Sequence, residues 1–246
     1  MMGIGNRQFQ DCTKSRHLSP RRKKILWVFL SFATAIALLS CTGEPPEIVR
    51  VFWQLNIVDD REQDLSFQTL SLFVKPNDPD GFEDIEDVYL INDEQELFWR
   101  LDGESWVQSG SDQEIWIGSN SLKMPDGASF PAGEYRILLR DIGGDTAEQT
   151  IRLELVSLKE ARRYLPKVTL GSGKILVAGE DTSYQLWLYD SNRRYVNSFP
   201  ASSGTVALDT ITRSHPPLQG GFSFKVYSFV KDKNLGITSG PYYVKP

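Results

Sequence analysis

Short segments of alternating apolar and polar residues run through most of the chain, and they constrain its fold more than any other feature. In the first such segment one face is formed by Val49, Val51, Trp53, Leu55 and Ile57. A period of two residues is that of a half-buried β-strand. Segments 134–140 and 149–155 repeat the pattern on either side of a glycine-containing hairpin loop. Many short strands at such spacing predict an all-β protein built as an antiparallel sandwich.

One helical segment divides these strands into two groups. Ser157 is a suitable N-cap with Glu160 three residues later, and Pro166 ends the segment. So short a helix is not stable alone, so we expect it to pack as a connector. We therefore predict two β-sandwiches, residues 48–156 and 167–246, joined by a connector helix at 157–166. A single elongated domain is the alternative.

Two motifs in the first group carry a family resemblance. The segment Asp78-Pro79-Asp80-Gly81-Phe82-Glu83-Asp84-Ile85 precedes a predicted strand, and Gly133-Glu134-Tyr135 opens a later one. Together they resemble the immunoglobulin-like domains of bacterial surface proteins, over about residues 48–155. The resemblance implies an immunoglobulin-like sandwich without the paired cysteines of antibody domains, so that its core would depend on packing alone. It implies no specific function.

The first 40 residues differ in composition from the rest. They hold seven of the 27 Lys and Arg residues but one of the 32 acids. The remaining 206 residues therefore carry 20 basic and 31 acidic groups, a net charge of −11. Basic residues at 21–24 precede an uncharged segment at 25–40, which as a helix would be about 24 Å long. A basic start followed by a short apolar segment is typical of a secretory signal peptide.

That segment ends in Leu38-Leu39-Ser40-Cys41, which resembles the lipobox of bacterial lipoproteins. The resemblance implies that residues 1–40 are removed and that Cys41 carries diacylglyceryl and acyl groups such as palmitate, before a tether at 41–47. Several acyl chains would hold the protein on a lipid bilayer. Thr42 stands where inner-membrane retention signals often have Asp, which favours the outer membrane. The alternatives are a transmembrane anchor with an incidental Cys41 and a cleaved signal without lipid.

Charge and motif content limit the function classes. An acidic body disfavours nucleic acid, whose binding needs clustered Lys and Arg. The sequence holds no Walker or dinucleotide motif and no nucleophile elbow, and His215 is the one histidine after residue 40. We predict no catalytic residue, no metal and no cofactor besides the lipid on Cys41.

The predicted function is a non-catalytic binding or structural module of the bacterial cell envelope. Its partners would be the lipid bilayer and an envelope protein or glycan. One alternative is an accessory enzyme that acts on envelope carbohydrate through acidic residues. Another is an assembly component that presents sheet edges to a partner.

One group of acidic residues is a weak candidate for a calcium site. Asp78, Asp80 and Asp84 lie close together in a turn-rich segment. Carboxylate oxygens are the ligands that Ca²⁺ prefers. The alternative is a solvated turn between strands.

Tryptophans form the second candidate site. Trp99, Trp106 and Trp116 fall within eighteen residues and flank turns. They are weak candidates for an exposed platform that binds sugar rings or a protein partner. The alternative is inward packing. Trp53 and Trp187 lie inside alternating strands, so we predict them to be core residues.

Overall fold

Strands dominate the structure, a computed structural model that describes residues 43–111, 114–180, 183–202 and 204–245. The all-β prediction is confirmed. The strands within these ranges are β1 Glu47–Asp60, β2 Leu65–Asn77, β3 Ile85–Asn92, β4 Leu97–Asp102, β5 Val107–Ser109, β6 Trp116–Leu122, β7 Gly133–Asp141, β8 Thr146–Leu153, β9 Lys167–Gly171, β10 Lys174–Ala178, β11 Ser183–Tyr189, β12 Tyr195–Ser202, β13 Gly204–Ala207, β14 Phe222–Val230 and β15 Leu235–Val244.

Helices are short and lie between strands. The α-helices are α1 Leu158–Ala161 and α2 Leu208–Ser214, and the 3₁₀ helices are Phe82–Asp84, Arg162–Tyr164, Pro216–Leu218 and Lys231–Lys233. The predicted N-cap is confirmed, because the Ser157 hydroxyl accepts a hydrogen bond from the Glu160 amide at 3.1 Å. The connector is less regular than predicted, since α1 passes directly into a 3₁₀ turn. No helix in the described ranges is long and apolar enough to cross a membrane.

Three sheets organise the strands. The largest has eight strands in the order β12-β11-β14-β15-β1-β2-β6-β5. A second has the order β4-β3-β7-β8 and a third the order β13-β10-β9. The eight-stranded sheet takes strands from both predicted units, because β1 pairs with β15 in parallel, with Leu55 opposite Leu235.

Two hydrophobic cores lie on the same face of the eight-stranded sheet. The first core joins Leu55, Leu72 and Leu235 of that sheet to residues of the four-stranded sheet such as Ile137. The second joins β11 and β14 to β10 and α2. Alternation along β1, β15 and β14 keeps all these residues on one side. That 48–156 and 167–246 are separate domains stays a prediction. The two cores favour it, whereas the eight-stranded sheet joins strands from both ranges.

A buried carboxylate ties the four-stranded sheet together. Asp87 on β3 is fully buried and accepts a hydrogen bond from Arg100 Nε at 2.7 Å. Arg140 of β7 donates another, and the Tyr89 hydroxyl a third at 3.0 Å. Because β3 lies between β4 and β7, Asp87 bridges three neighbouring strands. A buried charge is stable only when it is paired in this way.

The shared sheet predicts cooperative unfolding. Both cores pack on the eight-stranded sheet. Unfolding the strands around one core would therefore expose strand edges and apolar side chains around the other core. We expect calorimetry of the full chain to show one transition whose calorimetric enthalpy equals its van't Hoff enthalpy. Two separated transitions would show that the halves fold independently.

Removing the buried carboxylate should destabilise the protein strongly. We expect Asp87→Ala to lower the free energy of unfolding by about 2–3 kcal/mol, because hydrogen bonds to a buried charged group are lost. Urea denaturation measures this change. The matched control is Glu134→Ala, whose exposed partner Arg152 lies 3.9 Å away. That variant should change stability by no more than about 0.5 kcal/mol. Equal losses would contradict the structural role of Asp87.

Candidate functional site

The described residues include all the predicted site residues except the lipid-attachment site. Cys41, with the signal segment 1–40, lies outside the described ranges. The structure gives the position of each predicted acidic residue and tryptophan, and neither group comes together as the sequence analysis predicted.

An acidic cluster forms where three segments meet. Carboxylate oxygens of Asp78, Asp84 and Asp141 lie within 4.8 Å of one another. Asp80 does not join them; its Oδ2 accepts a hydrogen bond from the Glu44 amide at 2.7 Å. Asp141 takes its place because β7 pairs antiparallel with β3, which sets Asp141 opposite Ile85. The cluster therefore has two of the predicted calcium candidates and one residue that the sequence analysis missed.

Burial and the repulsion between like charges both act on the acidic cluster. Partial burial and the neighbouring charges of Asp78, Asp141 and Asp80 raise the pKa of Asp84 above its usual value. Asp141 is buried and its Oδ1 accepts a hydrogen bond from the Asp145 amide at 2.8 Å. No described residue donates a hydrogen bond to the buried Oδ2 of Asp78. Such an arrangement can share a proton or accept a cation that prefers oxygen ligands.

The three predicted platform tryptophans do not form one surface. Trp99 packs against the first core, its Nε1 donates a hydrogen bond to the Lys123 carbonyl at 2.7 Å, and its ring lies 5.3 Å from that of Phe130. Trp106 also packs against the first core. Trp116 alone faces the opposite side of the eight-stranded sheet, where it lines an open groove.

That groove is an exposed apolar feature of the eight-stranded sheet. Its volume is about 360 Å³, and it is lined by Phe52, Phe73, Val107, Ser109, Trp116 and Asn120. Phe52 is 46% exposed and Val107 52%. The register explains the grouping, because Phe52 lies opposite Phe73, and both Phe73 and Val107 lie opposite Gly118. Pairing across four strands thus assembles one apolar strip.

A second aromatic pair lies on the same outer face. Trp187 and Tyr227 are half-buried and stacked, with ring centroids 4.9 Å apart and planes at 14°. The prediction that Trp187 is a core residue is wrong. Its neighbours Leu186 and Leu188 fill the second core, so alternation turns Trp187 outward. Trp53, in contrast, packs against the first core as predicted.

The groove residues other than Trp116 were missed by the sequence analysis. Phe52 lies in the outward phase of β1, between the polar residues Arg50 and Gln54. An aromatic residue in that phase is the signal that marks an apolar patch on the outer face. Both ring nitrogens of His215 lie near polar atoms: Nε2 lies 2.7 Å from Asn197 Nδ2, and Nδ1 lies 3.1 Å from the Ile211 carbonyl oxygen.

Comparison with known proteins finds structural similarities at low sequence identity, among them those to Tp47 and PorU. No protein family and no curated protein matches the chain. Tp47, the 47-kilodalton lipoprotein of Treponema pallidum, is 14% identical with a TM-score of 0.38, over 76% of this chain and 49% of Tp47. Dimeric latent PorU from Porphyromonas gingivalis is 13% identical with a TM-score of 0.32, over 81% of this chain and 20% of PorU. The chain thus spans about half of the first protein and a fifth of the second.

Neutralising the acidic cluster should stabilise the protein. In the presence of a chelator, we expect Asp84→Asn to raise the melting temperature at pH 7, because the raised pKa of Asp84 means that its charged form opposes folding. The gain should disappear below about pH 4, where the wild-type carboxyl is protonated in both states. Glu83→Gln, an exposed neighbour outside the cluster, is the control and should give a smaller rise.

Calcium chloride then tests the predicted calcium candidates. A calcium-dependent rise in melting temperature that Asp84→Asn abolishes and Glu83→Gln retains would show that the cluster binds the cation. An equal response of all three proteins would show that it does not. If Asp84→Asn lowers the melting temperature in chelator, the repulsion described above is contradicted.

Proposed function

We propose that this chain is a lipid-anchored, non-catalytic binding module of a bacterial cell envelope, attached through Cys41 and situated in the outer membrane. The exposed apolar groove is the observation that carries the proposal. Its volume of about 360 Å³ lies within the range of small-molecule and ligand sites. Large aromatic side chains left open to water mark a surface that another molecule covers.

The chemistry of the groove supports binding without catalysis. Two phenylalanines, a tryptophan and a valine supply its apolar surface, and Ser109 and Asn120 supply neutral hydrogen-bonding groups. Its lining includes no His, Cys, Lys or carboxylate. General acid–base chemistry needs such groups within hydrogen-bonding distance of the reacting atoms. The groove is therefore suited to recognition.

The anchor is supported by the order of segments in the sequence. A basic block, an uncharged segment and Leu38-Leu39-Ser40-Cys41 follow one another directly. In this register the cysteine becomes the first residue of the processed chain. We include in the same proposal that residues 48–156 and 167–246 are two immunoglobulin-like sandwiches. The presence of two hydrophobic cores supports this division, and the first core also takes Val230, Leu235 and Ile237 from the second range.

An accessory enzyme that acts on envelope carbohydrate is the second candidate. The raised pKa of Asp84 beside Asp78 favours it, because glycosidases keep one of two neighbouring carboxyls protonated. Glycan cleavage that is lost in Asp78→Asn and in Asp84→Asn, and kept in Glu83→Gln, would establish this function. It would also overturn the non-catalytic proposal.

The two cysteines give a matched test of the anchor. We expect metabolic labelling with radioactive palmitate to mark the wild-type protein and Cys12→Ala, and to leave Cys41→Ala unlabelled. Cys41 would be the acceptor of the lipid, whereas Cys12 would be removed with the signal segment. Intact-mass measurement should show cleavage before residue 41 in the first two proteins only. Labelled or normally processed Cys41→Ala would refute lipid attachment at this position.

A further inference from the structure

We propose that the outer face of the eight-stranded sheet binds an uncharged polysaccharide chain that lies across the strands, from the groove at Phe52 to the Trp187–Tyr227 stack. The inference rests on the proposed function as a binding module and names the chemistry of its partner. Three features of the face carry it: two aromatic stations, the amide and hydroxyl groups between them, and the balance of charge. The two stations are the groove that Phe52 and Trp116 line and the stacked pair Trp187 and Tyr227.

Strand register shows that both stations belong to one face. Val58 lies opposite Thr238, Thr238 opposite Tyr227, and Tyr227 opposite Gln185. Side chains in one such row project from the same side of a sheet. Phe52 lies on that side by alternation along β1, and Trp187 by alternation along β11. The two cores occupy the other side, so among the described residues this face does not pack against the other sheets.

The separation of the stations favours a polymer. Trp116 lies on β6 and Trp187 on β11, and five strand-to-strand steps separate these strands in the sheet order. At a spacing of roughly 4.8 Å per step, Trp116 and Trp187 lie about 24 Å apart across the strands, whereas Phe52 on β1 and Tyr227 on β14 are two steps apart. A ligand that covers the whole face, from Trp116 to Trp187, must therefore be about 24 Å long. A chain of linked rings can stack on both.

Polar side chains fill the interval and hold one another in place. Gln54 Nε2 donates hydrogen bonds to Asn56 Oδ1 at 2.6 Å and to the Tyr227 hydroxyl at 3.2 Å. Asn56 Nδ2 donates to Ser71 Oγ at 3.0 Å. Amides and hydroxyls that are already ordered lose little entropy when they bind a ligand. They match the hydroxyl groups of a sugar, whose apolar ring faces stack on aromatic side chains.

Charge favours an uncharged polymer. None of the six residues lining the groove is charged. Beside the groove, Lys75 Nζ is paired with Glu114 Oε1 at 3.0 Å, and the exposed Arg50 lies opposite Lys75 and attracts the same carboxylate. Near Trp187, Lys225 lines a cavity together with Asp60 and Glu62. The net charge of −11 on residues 41–246 repels anionic polymers.

Affinity electrophoresis tests the proposal. The full chain, in micelles of a detergent without a sugar headgroup, is run through gels that contain uncharged glucan, mannan, galactan or xylan, and through gels with alginate as the anionic comparison. We expect at least one uncharged polymer to slow the protein and alginate to leave it unaffected. Phe52→Ala and Trp187→Ala should each weaken binding about tenfold, as the loss of a central aromatic contact does.

Matched variants separate binding from folding. Phe98 is 70% exposed on β4, in a different sheet, so Phe98→Ala should bind as the wild type does. Phe52→Tyr keeps the ring and should keep the affinity. Short oligosaccharides that occupy only the groove should lose affinity in Phe52→Ala and not in Trp187→Ala. Melting temperatures confirm that each variant is folded.

Several outcomes would overturn the inference. The inference is wrong if none of the uncharged polymers slows the protein, or if alginate is the one polymer that does. It is also wrong if Phe98→Ala loses as much affinity as Phe52→Ala and Trp187→Ala. A photoreactive residue placed at position 52 that crosslinks an envelope protein, in cells where no glycan is captured, would also overturn it. That last result would leave the binding-module proposal intact, and the palmitate test of the anchor is independent of all of them.

Discussion

Parallel pairing of β1 with β15 is the interaction on which the rest of the structure depends. It sets Leu55 opposite Leu235, residues separated by most of the described chain. Without that ladder the eight-stranded sheet would divide into β5, β6, β2 and β1 on one side and β15, β14, β11 and β12 on the other. Contacts this distant in sequence carry a large loop-closure cost, which the burial of Leu55, Ile57, Leu235 and Ile237 offsets.

The same ladder explains why one face of the sheet stays open. Both cores lie on one side, where the two smaller sheets cover it. The other side has no third layer among the described residues and is occupied instead by aromatic, amide and hydroxyl side chains. A sheet that is apolar on both faces would aggregate, whereas one with separated aromatic stations and a polar middle can remain in water and still offer a binding surface.

Acidic residues have two different roles in the first half of the chain. Asp87 is buried, is bound by two arginines and a tyrosine, and holds three strands together. Asp78, Asp84 and Asp141 repel one another at the end of the same sheet. All four are carboxylates within or next to strands, and their roles differ because, in the part of the chain that the structure describes, two arginines pair with Asp87 and none pairs with the other three.

Much of the local structure could be predicted from the sequence alone. Alternation predicted the strands, Ser157 and Glu160 predicted the cap, and the inward phase of β1 placed Trp53 correctly. These features depend on residues that are neighbours in the chain. Only the tertiary structure decided that Asp141 replaces Asp80 in the acidic cluster, that Trp187 faces outward, and that Phe52, Phe73 and Trp116 meet in one groove. Each of those outcomes depends on which strands pair and in what register, and pairing between distant strands is set by the packing of the whole sheet.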